Sequence, residues 1–225
     1  MAELQVIETG KVVPIATRRR ESVYERAERK RKRREPPEIP PRDDVRRLVG
    51  LLKRRTDATR DYPLLLLAVE TGMRAGTLTR LTVGDVLGKD GRSRKRIRLR
   101  PDICKGRQSY VVPLRRAVRE VLDAYLEAQG GRPMEPLFPS RKGGGFLTVR
   151  ALEFAWQRWQ REAQWERTYR LHAARHYAIT RMAERIGNPL MVKALAGHRS
   201  IATTQRYSHP SEDALQDAVE EAFAD

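Results

Sequence analysis

Apolar residues recur at helical spacing along most of the chain after residue 41. The pattern predicts helices with apolar stripes at Val45/Leu48/Leu52, at residues 61–70, at Leu78/Leu81, at Val118/Leu122/Leu126, and over most of the chain from Thr148 onward. Glycine or proline interrupts these stripes, which predicts separate helices joined by short turns. We expect Asp43 or Asp44 to cap the first helix.

Two short stretches have a strand-like pattern of residues and predict a small sheet. Ile97 and Leu99 alternate with arginines, and Tyr110–Val112 is an aromatic and β-branched run that ends at Pro113. Lys105–Arg107 is the predicted turn between the strands. The expected fold class is therefore α+β, mainly α with a small antiparallel β-sheet.

The N-terminal segment differs in composition from the rest. Residues 18–35 contain ten basic and four acidic residues and few apolar ones, so this segment cannot bury a core alone. We interpret residues 1–41 as a basic arm, either a solubilising tail or a segment that orders on nucleic acid. Prolines between residues 36 and 41 mark its boundary, and residues 42–225 form the predicted main domain.

Charge indicates the class of partner. The 225-residue chain carries 46 Lys and Arg against 29 Asp and Glu, a formal net charge of +17. Nucleic acid is the usual partner, because neutralised phosphates release counterions, although ribosomal and membrane-surface proteins are also basic. An apolar run that could span a bilayer and a signal-peptide pattern are both missing, and the single Cys104 allows no internal disulfide. We expect a soluble cytoplasmic protein with no membrane partner.

His172, Arg175 and His176 lie at positions i, i+3 and i+4, so they share one face of a predicted helix. Two histidines four residues apart can bind zinc. The glutamate of the HExxH motif and a nearby third ligand are missing, so we predict no metal site. His176 could equally be a packing residue.

Two basic residues, Arg74 and Lys105, lie at predicted turns. Arg74 follows Gly72 at the start of a short helix, where a guanidinium and backbone N–H groups together can bind an anion. Lys105 lies in the predicted hairpin turn, where a lysine is either a surface residue or a proton donor for a leaving oxygen. The residues alone leave these choices open.

Tyr207 is a candidate nucleophile that follows the Gly197-His198 pair closely in sequence. A phenol has an ordinary pKa of about 10, so it attacks a phosphate only where cations and a proton acceptor surround it. His198, His172 and the arginines could provide that environment without a metal ion.

In this order the motifs resemble those of the tyrosine recombinase (phage integrase) family over residues 42–210. The matching elements are Thr71-Gly72-Met73-Arg74, Lys105 before Val112-Pro113-Leu114, the linker Leu137–Ser140, the box of His172, Arg175 and His176, the Gly197-His198 pair, and Tyr207. Each motif alone is weak, and their shared order makes the resemblance specific. It implies a tyrosine recombinase catalytic domain without a full N-terminal core-binding domain.

The resemblance implies that the protein cleaves and rejoins double-stranded DNA as a site-specific recombinase or integrase. Tyr207 would form a 3′-phosphotyrosyl link and free a 5′-hydroxyl. Arg74 and Arg175 would bind the phosphate oxygens. Lys105 would be the general acid that protonates the leaving oxygen.

Two histidines complete the implied site. His172 would accept the tyrosine proton or steady the phosphate, and His198 would donate a hydrogen bond to a non-bridging oxygen. The covalent link conserves the bond energy, so the resemblance implies no cofactor, metal or ATP. It also implies a tetramer on DNA in which an amphipathic C-terminal helix, residues 211–225, docks on a neighbouring protomer; the same helix could instead pack on its own domain.

The chain departs from the family pattern in two places. Only residues 1–41 precede the predicted catalytic part, where the family has a separate helical domain. Thr77 stands three positions after Arg74, where the family commonly has an acidic residue, and a threonine can only hydrogen-bond. The first departure implies that affinity and site choice depend on the basic arm or on another protein, and the second implies reduced activity.

The alternative function is a recombinase-derived DNA-binding protein that regulates or competes without strand transfer. A relaxing enzyme of the type IB topoisomerase kind would share the chemistry, but the motifs are more similar to those of integrases. A basic RNA- or ribosome-binding protein would share the charge but not the order of the motifs.

Overall fold

A computed structural model of the chain describes residues 4–6, 12–14, 38–55, 60–198 and 200–205. The chain divides into two units, Met1–Pro36 and Pro37–Asp225. In the first unit, β1 (Leu4–Val6) and β2 (Val12–Pro14) pair antiparallel. The sequence pattern does not predict this hairpin, because strands of three residues are too short to show alternation.

The second unit is mainly helical. Its described elements are α1 (Arg42–Arg54), α2 (Asp61–Thr71), α3 (Ala75–Leu78), α4 (Val83–Val86), β3 (Arg96–Arg98), a 3₁₀ turn (Pro101–Ile103), β4 (Val111–Pro113), α5 (Arg116–Gln129), α6 (Val149–Glu162), α7 (His172–Ile186), α8 (Pro189–Ala196) and α9 (Ile201–Gln205). Strands β3 and β4 pair antiparallel, with Ile97 opposite Val112. The predicted class, mainly α with a small antiparallel sheet, is confirmed.

Helix α2 lies in the centre of the core. It packs against α1, α5 and α7, and Leu64, Leu65 and Leu67 are fully buried. A helix that is apolar on nearly all sides suits this position. Gly72 ends the helix with φ of 64°, at a point where a Cβ would lie 3.3 Å from Ile179 of α7. The turn after α2 is therefore held against α7.

Helix α6 brings two large aromatic residues into the core. The Thr148 side chain caps the helix by accepting a hydrogen bond from the Ala151 amide at 3.1 Å, so the helix begins where the sequence predicts. Trp156 and Trp159 are fully buried. The Trp156 indole N–H donates to the Tyr169 carbonyl at 2.8 Å, so its polar group is satisfied inside the core.

The predicted cap of α1 is wrong. Pro41 occupies the N-cap position and offers no side-chain hydrogen bond, while Asp43 and Asp44 lie within the first turn. There the positive end of the helix dipole stabilises their negative charges, and the two carboxylates pair with Arg46 and Arg47.

Helix α4 was not predicted from the sequence. Four residues cannot display an apolar period, but Thr82 and Asp85 form a capping box that was a local signal for it.

The predicted C-terminal helix, residues 211–225, lies outside the described residues, as does most of the basic arm. The last described element is α9. Among the helices of the described ranges, none is long and apolar enough to cross a membrane.

Candidate active site

Arg74 stands at the N-cap position of α3, directly after the turn that leaves α2. Its half-buried side chain is held close to the β3–β4 hairpin, because the buried Thr77 hydroxyl of α3 donates to the Ile103 carbonyl at 2.9 Å. Thr77 therefore ties α3 to the segment that leads into Lys105. An acidic side chain at this position would meet a carbonyl oxygen.

Lys105 lies in the tight turn that the sequence predicts. The Arg107 amide donates to the Cys104 carbonyl at 3.0 Å, and Gly106 and Arg107 have φ of 78° and 55°. Residues 105–107 of the turn, Lys105 among them, are exposed. A flexible ammonium there can reach a bound anion.

Arg175 of α7 is buried and is bonded to backbone carbonyls from two other segments. Its guanidinium donates to the Gly72 carbonyl and, at 2.8 Å, to the Ala196 carbonyl. These acceptors lie at the C-terminal ends of α2 and α8, where the helix dipoles favour a positive charge. The site thus contains a cation whose position is determined by three helices.

Gly197 and His198 follow α8 directly. Gly197 ends the helix with φ of 58°, a backbone conformation that favours glycine. His198 is buried, and its Nδ1 lies 3.0 Å from the Thr204 hydroxyl of α9, which orients the ring. Tyr207 comes shortly after α9 in sequence and lies outside the described residues.

One surface cavity of about 920 Å³ brings several of these residues together. Arg74, Lys105 and His198 all contribute to its lining. Arg107 and Lys193 add further positive charge, and the described lining contains no acidic residue. A cavity with this lining attracts and binds polyanions.

Arg175 adjoins the same cavity. Its guanidinium donates to the carbonyl of Ala196, directly before the lining residue Gly197. Burial raises the pKa of Tyr110, which also lines the cavity, and the nearby charges of Arg175 and Arg74 partly offset that rise. The structure therefore brings together Arg74, Lys105, Arg175 and His198 around one space.

His172 occupies a different place. It is the exposed first residue of α7, and with Arg175 it lines a smaller cavity of about 220 Å³. Its ring contacts the edge of the His176 ring, with centroids 4.4 Å apart. His172 is thus adjacent to Arg175 but does not line the larger cavity among the described residues.

Lys193 and Tyr110 are two cavity residues that the sequence analysis did not select. Lys193 is a lone cation inside the apolar run of α8, which was a usable signal. Tyr110 had no comparable signal, because a tyrosine beside a strand is ordinarily a packing residue. Within the described part of the chain, no group of three or more His, Cys, Asp or Glu could hold a metal ion.

The chain is similar in sequence to tyrosine recombinases. It is 30% identical over 151 residues to tyrosine recombinase XerC of Actinobacillus pleuropneumoniae, which covers 67% of this chain and 47% of that protein. It is 29% identical over 175 residues to XerC of Haemophilus ducreyi, which covers 76% of this chain and 55% of that protein. The chain thus spans about half the length of the curated relatives it matches.

Solved structures share the fold. XerA recombinase superposes with a TM-score of 0.65 at 22% identity, covering 84% of this chain and 64% of that chain. XerH recombinase bound to its difH substrate superposes with a TM-score of 0.68 at 21% identity, covering 85% of this chain and 56% of that chain. The catalytic domain of bacteriophage HP1 integrase superposes with a TM-score of 0.57 at 20% identity, covering 81% of this chain and 93% of that chain. The fold is therefore that of a recombinase catalytic domain, as predicted.

The sequence model of the phage integrase family matches residues 41–213, which include every motif residue discussed above. This match agrees with the resemblance seen in the motifs alone. The chain belongs to the phage integrase family.

Proposed function

We propose that this chain is the catalytic part of a site-specific recombinase that cleaves and rejoins duplex DNA through a 3′-phosphotyrosyl intermediate. The observation that carries the proposal is the cavity lined by Arg74, Lys105 and His198, with the buried Arg175 bonded to the carbonyl of Ala196 beside it. Similar folds have been solved with DNA, among them XerH with difH and the Tn1549 transposon integrase with transposon right end DNA.

In the proposed reaction the phenolic oxygen of Tyr207 bonds to the scissile phosphorus, and the bond from phosphorus to the 5′-oxygen breaks. The leaving oxygen takes the bonding electron pair and a proton from Lys105. Arg74 and Arg175 stabilise the charge on the non-bridging oxygens, and His198 donates a hydrogen bond to one of them. Attack by the 5′-hydroxyl of a partner strand reverses these steps and releases Tyr207, so no external energy source is required.

His172 has a less direct part in this proposal. It lines the adjoining cavity together with Arg175. Once DNA is bound, His172 accepts the proton of Tyr207 or steadies the phosphate. We further propose that protomers assemble as a tetramer on DNA in the cytoplasm, with residues 211–225 docking on a neighbour.

The test uses the full chain and duplexes of randomised sequence that carry a nick, so that the cleaved fragment diffuses away and the covalent adduct accumulates. In EDTA the wild type should form an adduct that survives detergent, and Tyr207→Phe should form none. Arg175→Lys should slow adduct formation by about 100-fold, because a lysine cannot reproduce the paired donors. Arg116→Lys, a change of an exposed arginine on α5, is the matched control and should leave the rate unchanged.

Two results would contradict the proposal. An adduct that forms only with added magnesium would show different chemistry, and an adduct retained in Tyr207→Phe would require another nucleophile. DNA binding without any adduct would favour the alternative, a recombinase-derived DNA-binding protein.

A further inference from the structure

Tyr110 is packed against the Gly197-His198 pair. It directly precedes β4, and its carbonyl accepts a hydrogen bond from the Leu99 amide at 3.0 Å, which fixes its backbone. A Cβ placed on Gly197 would lie only 2.7 Å from Cε1 of the Tyr110 ring. The ring therefore lies directly on the glycine backbone and connects the hairpin of Lys105 to the segment of His198.

The Tyr110 hydroxyl is shielded from solvent, and its proton has no acceptor among the described residues. The cations that act on it are the guanidinium groups of Arg175, which also hydrogen-bonds to it, and of Arg74, and a guanidinium can only donate hydrogen bonds. A shielded donor without an acceptor is unfavourable by itself. Tyr110 is part of the wall of a cavity lined with cations, and an anion bound there would provide the acceptor.

The hydroxyl has the protonation state that a donor needs. Burial raises the pKa of the Tyr110 phenol from its ordinary value, and the charges of Arg175 and Arg74 only partly offset that effect. Near neutral pH the phenol therefore keeps its proton. That state suits donation to a phosphate oxygen and does not suit nucleophilic attack.

We infer that Tyr110 is a phosphate-binding residue of this site, and that its hydroxyl donates a hydrogen bond to a non-bridging oxygen of the phosphodiester held by Arg74 and Arg175. The inference rests on the proposed function for the identity of the ligand as DNA. Tyr110 forms no covalent bond in this account, so its role is distinct from that of Tyr207.

Tyr110→Phe tests the inference directly, because it removes the hydroxyl and keeps the ring that packs on Gly197. The probe is inorganic phosphate, titrated into the full chain by calorimetry at fixed ionic strength. We expect Tyr110→Phe to weaken phosphate binding about ten-fold, the usual effect of losing one hydrogen bond to a charged group. The control is Tyr125→Phe, which removes a buried hydroxyl that donates to the Leu137 carbonyl at 2.9 Å, and it should bind phosphate as the wild type does.

Equal phosphate affinity in the wild type and Tyr110→Phe would overturn the inference, as would a wild type that shows no saturable phosphate binding. The adduct assay separates this failure from a failure of the proposed function. Weakened phosphate binding in Tyr110→Phe without an adduct in any variant would refute strand transfer and support the phosphate contact. An adduct that persists in Tyr207→Phe and disappears in Tyr110→Phe would refute both, because Tyr110 would then be the nucleophile.

Discussion

At Gly197 two separate constraints act on one residue. The backbone has φ of 58°, and the Tyr110 ring lies where any side chain would begin. Arg175 is constrained in a similar way, since its guanidinium is held by carbonyls of Gly72 and Ala196. The geometry of the cavity thus depends on contacts between residues that are far apart in sequence.

Gly197→Ala should lower the free energy of unfolding by about 2–4 kcal/mol, from the left-handed backbone and the overlap with Tyr110 together. Urea unfolding followed by circular dichroism measures this loss. Gly76→Ala is the matched control: a Cβ there meets no atom within 4 Å, and alanine in α3 should be neutral or stabilise by up to about 1 kcal/mol. Equal stabilities of the two variants would contradict the packing of Tyr110 on Gly197.

The shared position of several residues of the candidate site could be predicted from the sequence, and that of others could not. Arg74, Lys105 and His198 lie next to local signals, namely a helix start, a turn and a Gly-His pair, and the structure places all three on one cavity. The burial of Arg175 could not be predicted, because its acceptor at Gly72 is 103 positions away in the chain. The placement of His172 on the adjoining cavity depends in the same way on how α7 packs.

Among the elements, α2 has a special position because it connects a polar cluster at its start to the site at its end. At the start, the buried Asp61 carboxylate accepts hydrogen bonds from Arg158 at 2.7 Å and from the Trp159 indole at 3.2 Å, both in α6. Arg60 and Arg141 also pair with it. These contacts hold α2 against α6, and α2 in turn leads through Gly72 to Arg74.

Asp61→Ala should destabilise the protein by about 3–5 kcal/mol, because it leaves partly buried arginines and a buried indole N–H without their acceptor. Thermal unfolding is the measurement. In the control Asp43→Ala, the lost ion pair with Arg46 is exposed, and the change should stay within about 0.5 kcal/mol. A small effect at Asp61 would show that the cluster does not hold α2 in place.

Element prediction succeeded where the pattern was long enough to show a period. The 11-residue helix α2 was predicted with ends close to those observed, because Gly72 marks its end, and α6 begins where the predicted helical pattern starts, at Thr148. The four-residue α4 and the strands β1 and β2 were missed, because short elements are stabilised by pairing and capping and not by their own periodicity.

At the scale of the whole molecule, the distribution of charge supports the proposed DNA partner. The net charge of +17 is large, and the described lining of the cavity contains basic side chains and no acidic one. The family match covers residues 41–213, while the chain spans about half of the relatives it matches. We therefore expect DNA affinity to be mostly electrostatic and to depend strongly on salt.

Lys193→Ala should weaken DNA binding and reduce the slope of log affinity against log salt by about one, since one phosphate contact is lost. Fluorescence anisotropy with a labelled duplex over a range of salt concentrations measures the slope. Arg116→Ala is the control, because Arg116 lies on α5 and pairs with Glu120, and its slope should match the wild type. A slope unchanged in Lys193→Ala would place the DNA away from this cavity.

The most direct test of the central claim is to identify the amino acid that carries the DNA. The adduct formed in EDTA is digested with nuclease and protease, and mass spectrometry then locates the remaining nucleotide on a peptide. We predict a phosphotyrosyl nucleotide on Tyr207, linked through the 3′-phosphate. A nucleotide on any other residue, or a link through a 5′-phosphate, would contradict the account.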